Sequence, residues 1–298
     1  LTIKYSRFFL LLIFLVNPLL SQTEIRNNIN ENTTWDIDGS PYILMVNVTV
    51  FARLDIEAGV EIIMNGAGIM TRTDRGQIIS EGAIFRGGGS IRLINMHQAS
   101  SVIGCVLDMV SVQCEYREHF LTRCEFHTHG ILCSNGGTAN VSNCVFSDLR
   151  SYPFNLYCGS VELENNAFEN CEIEAIAVAG ERWRHDVTLS DQGLPYHLTG
   201  DVSTERTLWI EPGCHFDMNE YNLGGRLEAE GSTFRGNNYL SLVNGSMTDC
   251  IFEGVGLFCN SGTISNCEIR DVQYGIRCGN GGRISVSNTL FRNMEDPV

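Results

Sequence analysis

The chain has 298 residues, 43% of them hydrophobic, enough to enclose a sizeable core and too many for a disordered chain. Asp and Glu outnumber Lys and Arg by 35 to 20, and the only lysine is Lys4, so no basic surface for DNA or RNA is expected. The 30 glycines and 6 prolines point to many turns and exclude collagen or a proline-rich linker.

Residues 1–21 read as an export signal. Lys4 and Arg7 precede an apolar run from Phe8 to Val16, and Asn17-Pro18-Leu19-Leu20-Ser21 ends on a small residue before Gln22. A membrane anchor needs about 20 apolar residues, and Asn17-Pro18 interrupts this stretch. The mature chain is therefore expected to be secreted or held at a cell surface and not to span a membrane. Residues 22–34 read as an N-terminal linker.

From residue 39 a module appears that occurs twice. Gly39-Ser40-Pro41-Tyr42, Val48, Leu54-Asp55-Ile56-Glu57-Ala58-Gly59 and Met64-Asn65 return as Gly193-Leu194-Pro195-Tyr196, Val202, Leu208-Trp209-Ile210-Glu211-Pro212-Gly213 and Met218-Asn219, every pair 154 apart. The match resumes at 81–87 against 230–236, now 149 apart, as a loop difference of five residues would give. The copies define two blocks, 35–180 and 181–298, expected to be continuous with each other.

A shorter period runs through both blocks. The phrase "apolar, x, Asn, small, x, Phe" appears as Val141-Ser142-Asn143-Cys144-Val145-Phe146 and returns at 163–168, 264–269 and 286–291. Its small position is occupied by Ala83, Cys105, Cys124, Cys144, Asn166, Ser232, Cys250, Cys267 and Thr289, in steps of 17–22 residues within each block. Two residues further on come Phe85, Leu107, Phe126, Phe146, Phe168, Phe234, Phe252, Ile269 and Phe291. A second phrase, as in Gly130-Ile131-Leu132-Cys133 and Gly275-Ile276-Arg277-Cys278, follows many of the first.

Strands of three to five residues, a turn each period and no amphipathic helical stretch describe a parallel β-solenoid whose coils stack about 4.8 Å apart. The residue before each small position is Gly, Asn or Asp, the types that tolerate the left-handed conformation and bend a strand, with Arg123 as the exception. The cysteines fall on two inward ladders, Cys105, Cys124, Cys144, Cys250 and Cys267 on one and Cys114, Cys133, Cys158, Cys259 and Cys278 on the other. Cys171 and Cys214 fall outside both. Free thiols as core filler and inter-coil disulfides both remain open, whereas the absence of a CxxC gives zinc no support.

The Gly-Ile-x-Cys-x-Asn-Gly-Gly … Val-x-Asn-x-x-Phe phrasing of 275–291 resembles the generic coil of the right-handed parallel β-helix family with the pectin-lyase-like fold. The module at 39–59 and 193–213 is similar to one in secreted bacterial β-helix proteins. The resemblance implies an all-β fold, a single-stranded right-handed parallel β-helix of roughly ten to twelve coils. That fold carries lyases, hydrolases, adhesins and scaffolds, so activity has to be argued from a site.

The outward residue after each Phe position suggests ion-pair columns, Arg86 over Asp108 and Arg235 over Glu253 over Arg270. The residue before it forms a mostly apolar outer stripe, Ile84, Val106, Val145, Ala167, Ile251 and Leu290, expected to be covered by loops of the chain or by a partner. The densest polar cluster is Glu115-Tyr116-Arg117-Glu118-His119 with Arg123, Glu125, His127 and His129. For a carbohydrate-active enzyme acting on an acidic polysaccharide, His127, His129, Arg117 and Glu125 are the catalytic candidates, since β-elimination needs a base and a cation for the uronate. Lysine-dependent chemistry is excluded, and neither the paired Asp-Asp nor the Arg-Ile-Lys phrase of polygalacturonase-type hydrolases occurs.

The ligand-binding candidates are Trp183, Arg182, Arg184 and Arg123; Trp183 either stacks on a sugar or packs into the solenoid. The favoured function is a non-catalytic scaffold or adhesion module for an extracellular glycan or surface protein. No cofactor is expected, with Ca²⁺ left open by the acidic columns.

Overall fold

The computed structural model describes residues 22–72, 75–94 and 96–294, so the export-signal segment lies outside the described residues. The chain is an all-β parallel solenoid of about 13 coils, slightly longer than the ten to twelve expected. The ladder takes in rungs from the long-range modules, Tyr42, Ile62, Tyr196 and Phe216, besides those of the Asn-small-x-Phe phrase. The stack also starts earlier than the supposed linker boundary, because Thr23–Ile25 already pairs with Tyr42–Leu44.

A coil runs along three faces, A, B and C in turn, as separate short strands in Glu125–His127, Ile131–Ser134 and Thr138–Ser142 and as merged long strands elsewhere, such as Ile84–Ile94 and Tyr196–Ile210. On face A, Phe85, Leu107, Phe126, Phe146 and Phe168 lie directly above one another. The Phe126 and Phe146 rings stack at 4.7 Å and 8°, and those of Phe146 and Phe168 at 5.4 Å and 17°. Face B stacks Val48, Ile69, Ile91, Val112, Ile131, Phe154 and Ile176. These ladders are the core, because alternation along a strand sends every second side chain inward.

A left-handed residue turns face C into face A. Asn143 (φ 54), Asn165 (φ 53), Asp249 (φ 55) and Asn266 (φ 54) have it, and so does Arg123 (φ 55), so the apparent exception obeys the same geometry. The bend breaks the alternation, and Val141 and Cys144, three residues apart, are both buried.

The two modules repeat their bonds as well as their letters. Asn32 Oδ1 accepts from Arg53 N, and Asp186 Oδ1 accepts from Thr207 N; Asn47 Oδ1 accepts from Gly68 N, and Asp201 Oδ1 from Asn222 N. At the second module the register steps sideways. Tyr196 sits above Ile176 of face B and below Phe216 of face A, which leaves Phe168 only half-buried at the end of its own ladder.

All twelve cysteines are free thiols. Cys105, Cys124, Cys144, Cys250 and Cys267 are buried as expected, and Cys214 joins their ladder, since Phe216 two residues later aligns with Phe234. On the second ladder Cys114 pairs with Cys133 and Cys259 with Cys278. Leu156, not Cys158, occupies the next rung, and Cys278 is exposed near the end of the described chain.

The outer columns differ from expectation at one point. Arg235 and Arg270 both reach Glu253, at 2.9 and 3.4 Å, but Arg86 turns to Glu61 at 3.1 Å instead of Asp108. The apolar outer stripe is not buried by any loop: Ile84, Val106, Val145 and Ile251 are half-buried, while Ala167 and Leu290 are exposed.

Candidate functional site

The four catalytic candidates do not converge. Glu125 and His127 stand two residues apart on the outer side of face A, with His127 Nε2 3.7 Å from Glu125 Oε2 and His127 Nδ1 2.6 Å from Ser147 Oγ on the next coil. His129 is exposed in the following turn, 3.0 Å from Thr128 Oγ1. Arg117 belongs to another corner, the turn from face B to face C, in a depression of about 410 Å³ lined also by Ala99, Tyr116, Glu118, Phe120, Gly136 and Thr138. Arg123 is exposed on the bend between faces C and A.

Two members of the polar cluster are structural. Glu115 is 3% exposed, and its carboxylate accepts from Arg92 Nη2 (2.7 Å) on the coil below, Gln113 Nε2 (2.8 Å) beside it and Asn135 Nδ2 (2.8 Å) on the coil above. A buried carboxylate held by a cation and two amides is a clamp across three coils. His119 fills an inward position of face C. Its Nδ1 accepts from Ser100 N at 3.3 Å, and its Nε2 lies 3.2 Å from the Glu115 carbonyl, to which it donates as the neutral ring. Burial holds its pKa below the ordinary histidine value.

The end of the strand Ile176–Trp183 and the turn after it settle which of two roles Trp183 plays. The indole is 1% exposed and donates from Nε1 to the Ala179 carbonyl at 3.0 Å, so it packs and does not face a ligand. Gly180 (φ 124) permits this, because a Cβ there would stand 2.9 Å from Trp183 Nε1. Anchoring Trp183 inward turns its neighbours outward: Arg182, Arg184 and His185 are all exposed. Arg182 Nε and Arg184 Nε share the Glu205 carboxylate at 3.4 and 3.9 Å.

The turn after this strand meets the Arg117 depression. A second hollow, of about 400 Å³, is lined by Asn135, Tyr157, Cys158, Gly180, Arg182, Trp183, Arg184 and His185. The His185 ring lies against Gly136, where a Cβ would stand 3.1 Å from its Cγ, and it meets the Tyr116 ring edge-on at 6.3 Å. Gly136 lines the first hollow and Asn135 the second, so the two adjoin. Their rims carry two exposed aromatic rings, Phe120 (42%) and Tyr157 (48%).

The corner therefore gathers Arg117, Arg182 and Arg184 beside aromatic rings on a chain of net charge −15. A guanidinium carries five N–H donors in a planar fork that suits carboxylate and sulfate groups, more than one shared glutamate can occupy. Aromatic faces beside such forks suit the apolar faces of sugar rings. Arg117, Arg182 and Arg184 were legible as candidates; Phe120, Tyr157 and His185 were not, because nothing in their spacing marks them as one surface.

Among the described residues, no group of three or more His, Cys, Asp or Glu is arranged to hold a metal ion. None of the described helices is long and apolar enough to cross a membrane. Comparison with protein-family models, curated proteins and solved structures finds no match to this chain.

Proposed function

We propose that this chain is an exported right-handed β-helix of the pectin-lyase-like type that serves as a non-catalytic scaffold and binds an acidic glycan at its arginine-rich corner. The observation that carries this proposal is the Trp183 anchor, which fixes Arg182, Arg184 and His185 outward beside Arg117, Tyr157 and Phe120. A buried anchor holding exposed cations limits the entropy lost when a ligand is captured. The overall negative charge opposes polyanions at long range, so binding depends on these local contacts and weakens with salt.

One observation favours a rival. Ser147 Oγ, His127 and Glu125 form a hydroxyl–imidazole–carboxylate row on face A, and a base of that type suits cleavage of an acidic polysaccharide. Incubating the purified protein with uronate polysaccharides, with and without Ca²⁺, separates the two. Retention of the glycan without unsaturated products or new reducing ends supports the scaffold. Turnover that disappears in His127→Ala establishes the enzyme.

A further inference from the structure

The second module differs from the first at two alternate positions of one face C strand. In the first, Asp55 is held by Arg53, Nε to Oδ2 at 2.8 Å and Nη2 to Oδ1 at 2.7 Å, an exposed ion pair. In the second, the same positions hold Trp209 and Thr207, 154 residues on. The backbone is braced alike in both, by Asn32 on Arg53 N and by Asp186 on Thr207 N. The fold thus accepts a charged pair at this place, and nothing in the coil requires an indole there.

Yet Trp209 is 41% exposed, while Trp35 and Trp183 are 2% and 1% exposed. It stands one residue before the end of the strand Tyr196–Ile210, in the outward column Thr188, Trp209, Glu228, Ser246, one residue per coil. The column and its neighbours Glu211, Pro212, Glu230 and Thr248 line a groove of about 520 Å³. Small Thr188 and Ser246 leave room along the solenoid axis. The Glu228 carboxylate is held by the Ser246 hydroxyl, and its other oxygen lies 4.0 Å from Arg226 Nε, so the acceptor is set in place.

From these features we infer a second ligand site on face C of the second block, taking a neutral oligosaccharide. Trp209 supplies a platform for the apolar face of a pyranose ring. Glu211, Glu228 and Glu230 accept from sugar hydroxyls, the Ser246 oxygen accepts while its proton stays on Glu228, and Thr248 donates or accepts. Three carboxylates in the lining repel uronates and sulfates, so the site selects against the acidic glycan assigned to the Trp183 corner. The two sites share no lining residue.

The three tryptophans make the test direct. With Trp35 and Trp183 buried, acrylamide quenching of the whole chain reports on Trp209. Oligomers of glucose, mannose, galactose and xylose are titrated against it, with oligogalacturonate in parallel. At least one neutral oligomer is expected to shield Trp209 from the quencher. Trp209→Thr, which removes the ring and sets no further carboxylate opposite Glu228, is expected to unfold near the parent temperature and to bind that oligomer about tenfold or more weakly by calorimetry. Ser246→Ala is expected to weaken it less. The inference is overturned if no neutral oligomer shields Trp209, if Trp209→Thr binds as the parent does, or if oligogalacturonate shields it equally. Failure of oligogalacturonate to bind anywhere contradicts the acidic-glycan proposal instead and leaves this result legible.

Discussion

Tyr42 and Tyr196, 154 residues apart, use one hydroxyl position in two opposite ways: Tyr42 Oη accepts from Asp36 N at 3.1 Å, whereas Tyr196 Oη donates to the Ser190 carbonyl at 2.6 Å. Both reach back six residues and tie the segment entering the module to its first strand. Desolvation raises the pKa of both phenols, most for the deeper Tyr196. Removing either hydroxyl leaves a polar group without its partner. Tyr196→Phe is therefore expected to lower stability by about 1–2 kcal/mol, read as an earlier denaturant midpoint. Tyr42→Phe is expected to fall at or below that range, because its bond is longer.

The aromatic ladder predicts a gradient along the axis. Phe146 lies 4.7 Å from Phe126, 5.0 Å from Phe154 and 5.4 Å from Phe168. Phe146→Ala opens a cavity inside a column that cannot collapse and is expected to destabilise by about 3–5 kcal/mol. Phe291, exposed on the last described rung, is expected to lose about 1 kcal/mol or less on the same change. Equal effects in thermal unfolding would contradict the stacking.

Acid is expected to act through His119. Its folded pKa lies below the ordinary 6.5 because burial disfavours the charged ring. The unfolded chain therefore binds the proton more readily between the two values. The contribution of the neutral ring is complete above about pH 6.5 and is lost as pH falls toward the folded value. Groups facing the ring include the Ser100 backbone N–H and the Glu115 carbonyl, with the Glu115 carboxylate nearby. His119→Gln is expected to lower stability at neutral pH and to flatten its acid dependence in unfolding curves taken across this window.

Thiol labelling is expected to follow access and not acidity. The hydrogen bond from Cys124 holds the Cys105 thiol down to about 7, while the same contact raises Cys124; burial pushes Cys214 and Cys259 up to about 12. All four are buried. In the native protein an alkylating agent is expected to modify Cys278 first and half-buried Cys171 more slowly. The remaining thiols are expected to react only on unfolding, as peptide mass mapping would show.

The architecture was legible because its ladders repeat as residue types. Phenylalanine at one rung and Asn or Gly at one bend recur even where a loop changes length. Tyr196 was harder, since its coil replaces the Asn-small-x-Phe phrase with the Gly-x-Pro-Tyr module and shifts register, whereas Cys214 does keep the bend-small-x-Phe spacing in Gly213-Cys214-His215-Phe216. Cys158 was misaligned by two residues because the turn carrying it moves Leu156 into the rung. The site was less legible for a physical reason. Glu115 and His119 look like surface polar residues until coils above and below supply their partners. Trp183 and Trp209 exchange roles in the same way: the one flanked by arginines is buried, and the one inside an apolar run is exposed. One-dimensional spacing gives the axial neighbours of a side chain, but not which corner its loop folds onto.

Calorimetric titration of oligogalacturonate into the parent protein and into an Arg182→Gln/Arg184→Gln variant, at low and high salt, tests the central claim most directly. The parent is expected to bind, more weakly as salt rises, and the variant to bind about tenfold or more weakly while unfolding at the same temperature. Equal affinity in the two proteins, or no heat from the parent at low salt, would contradict the account.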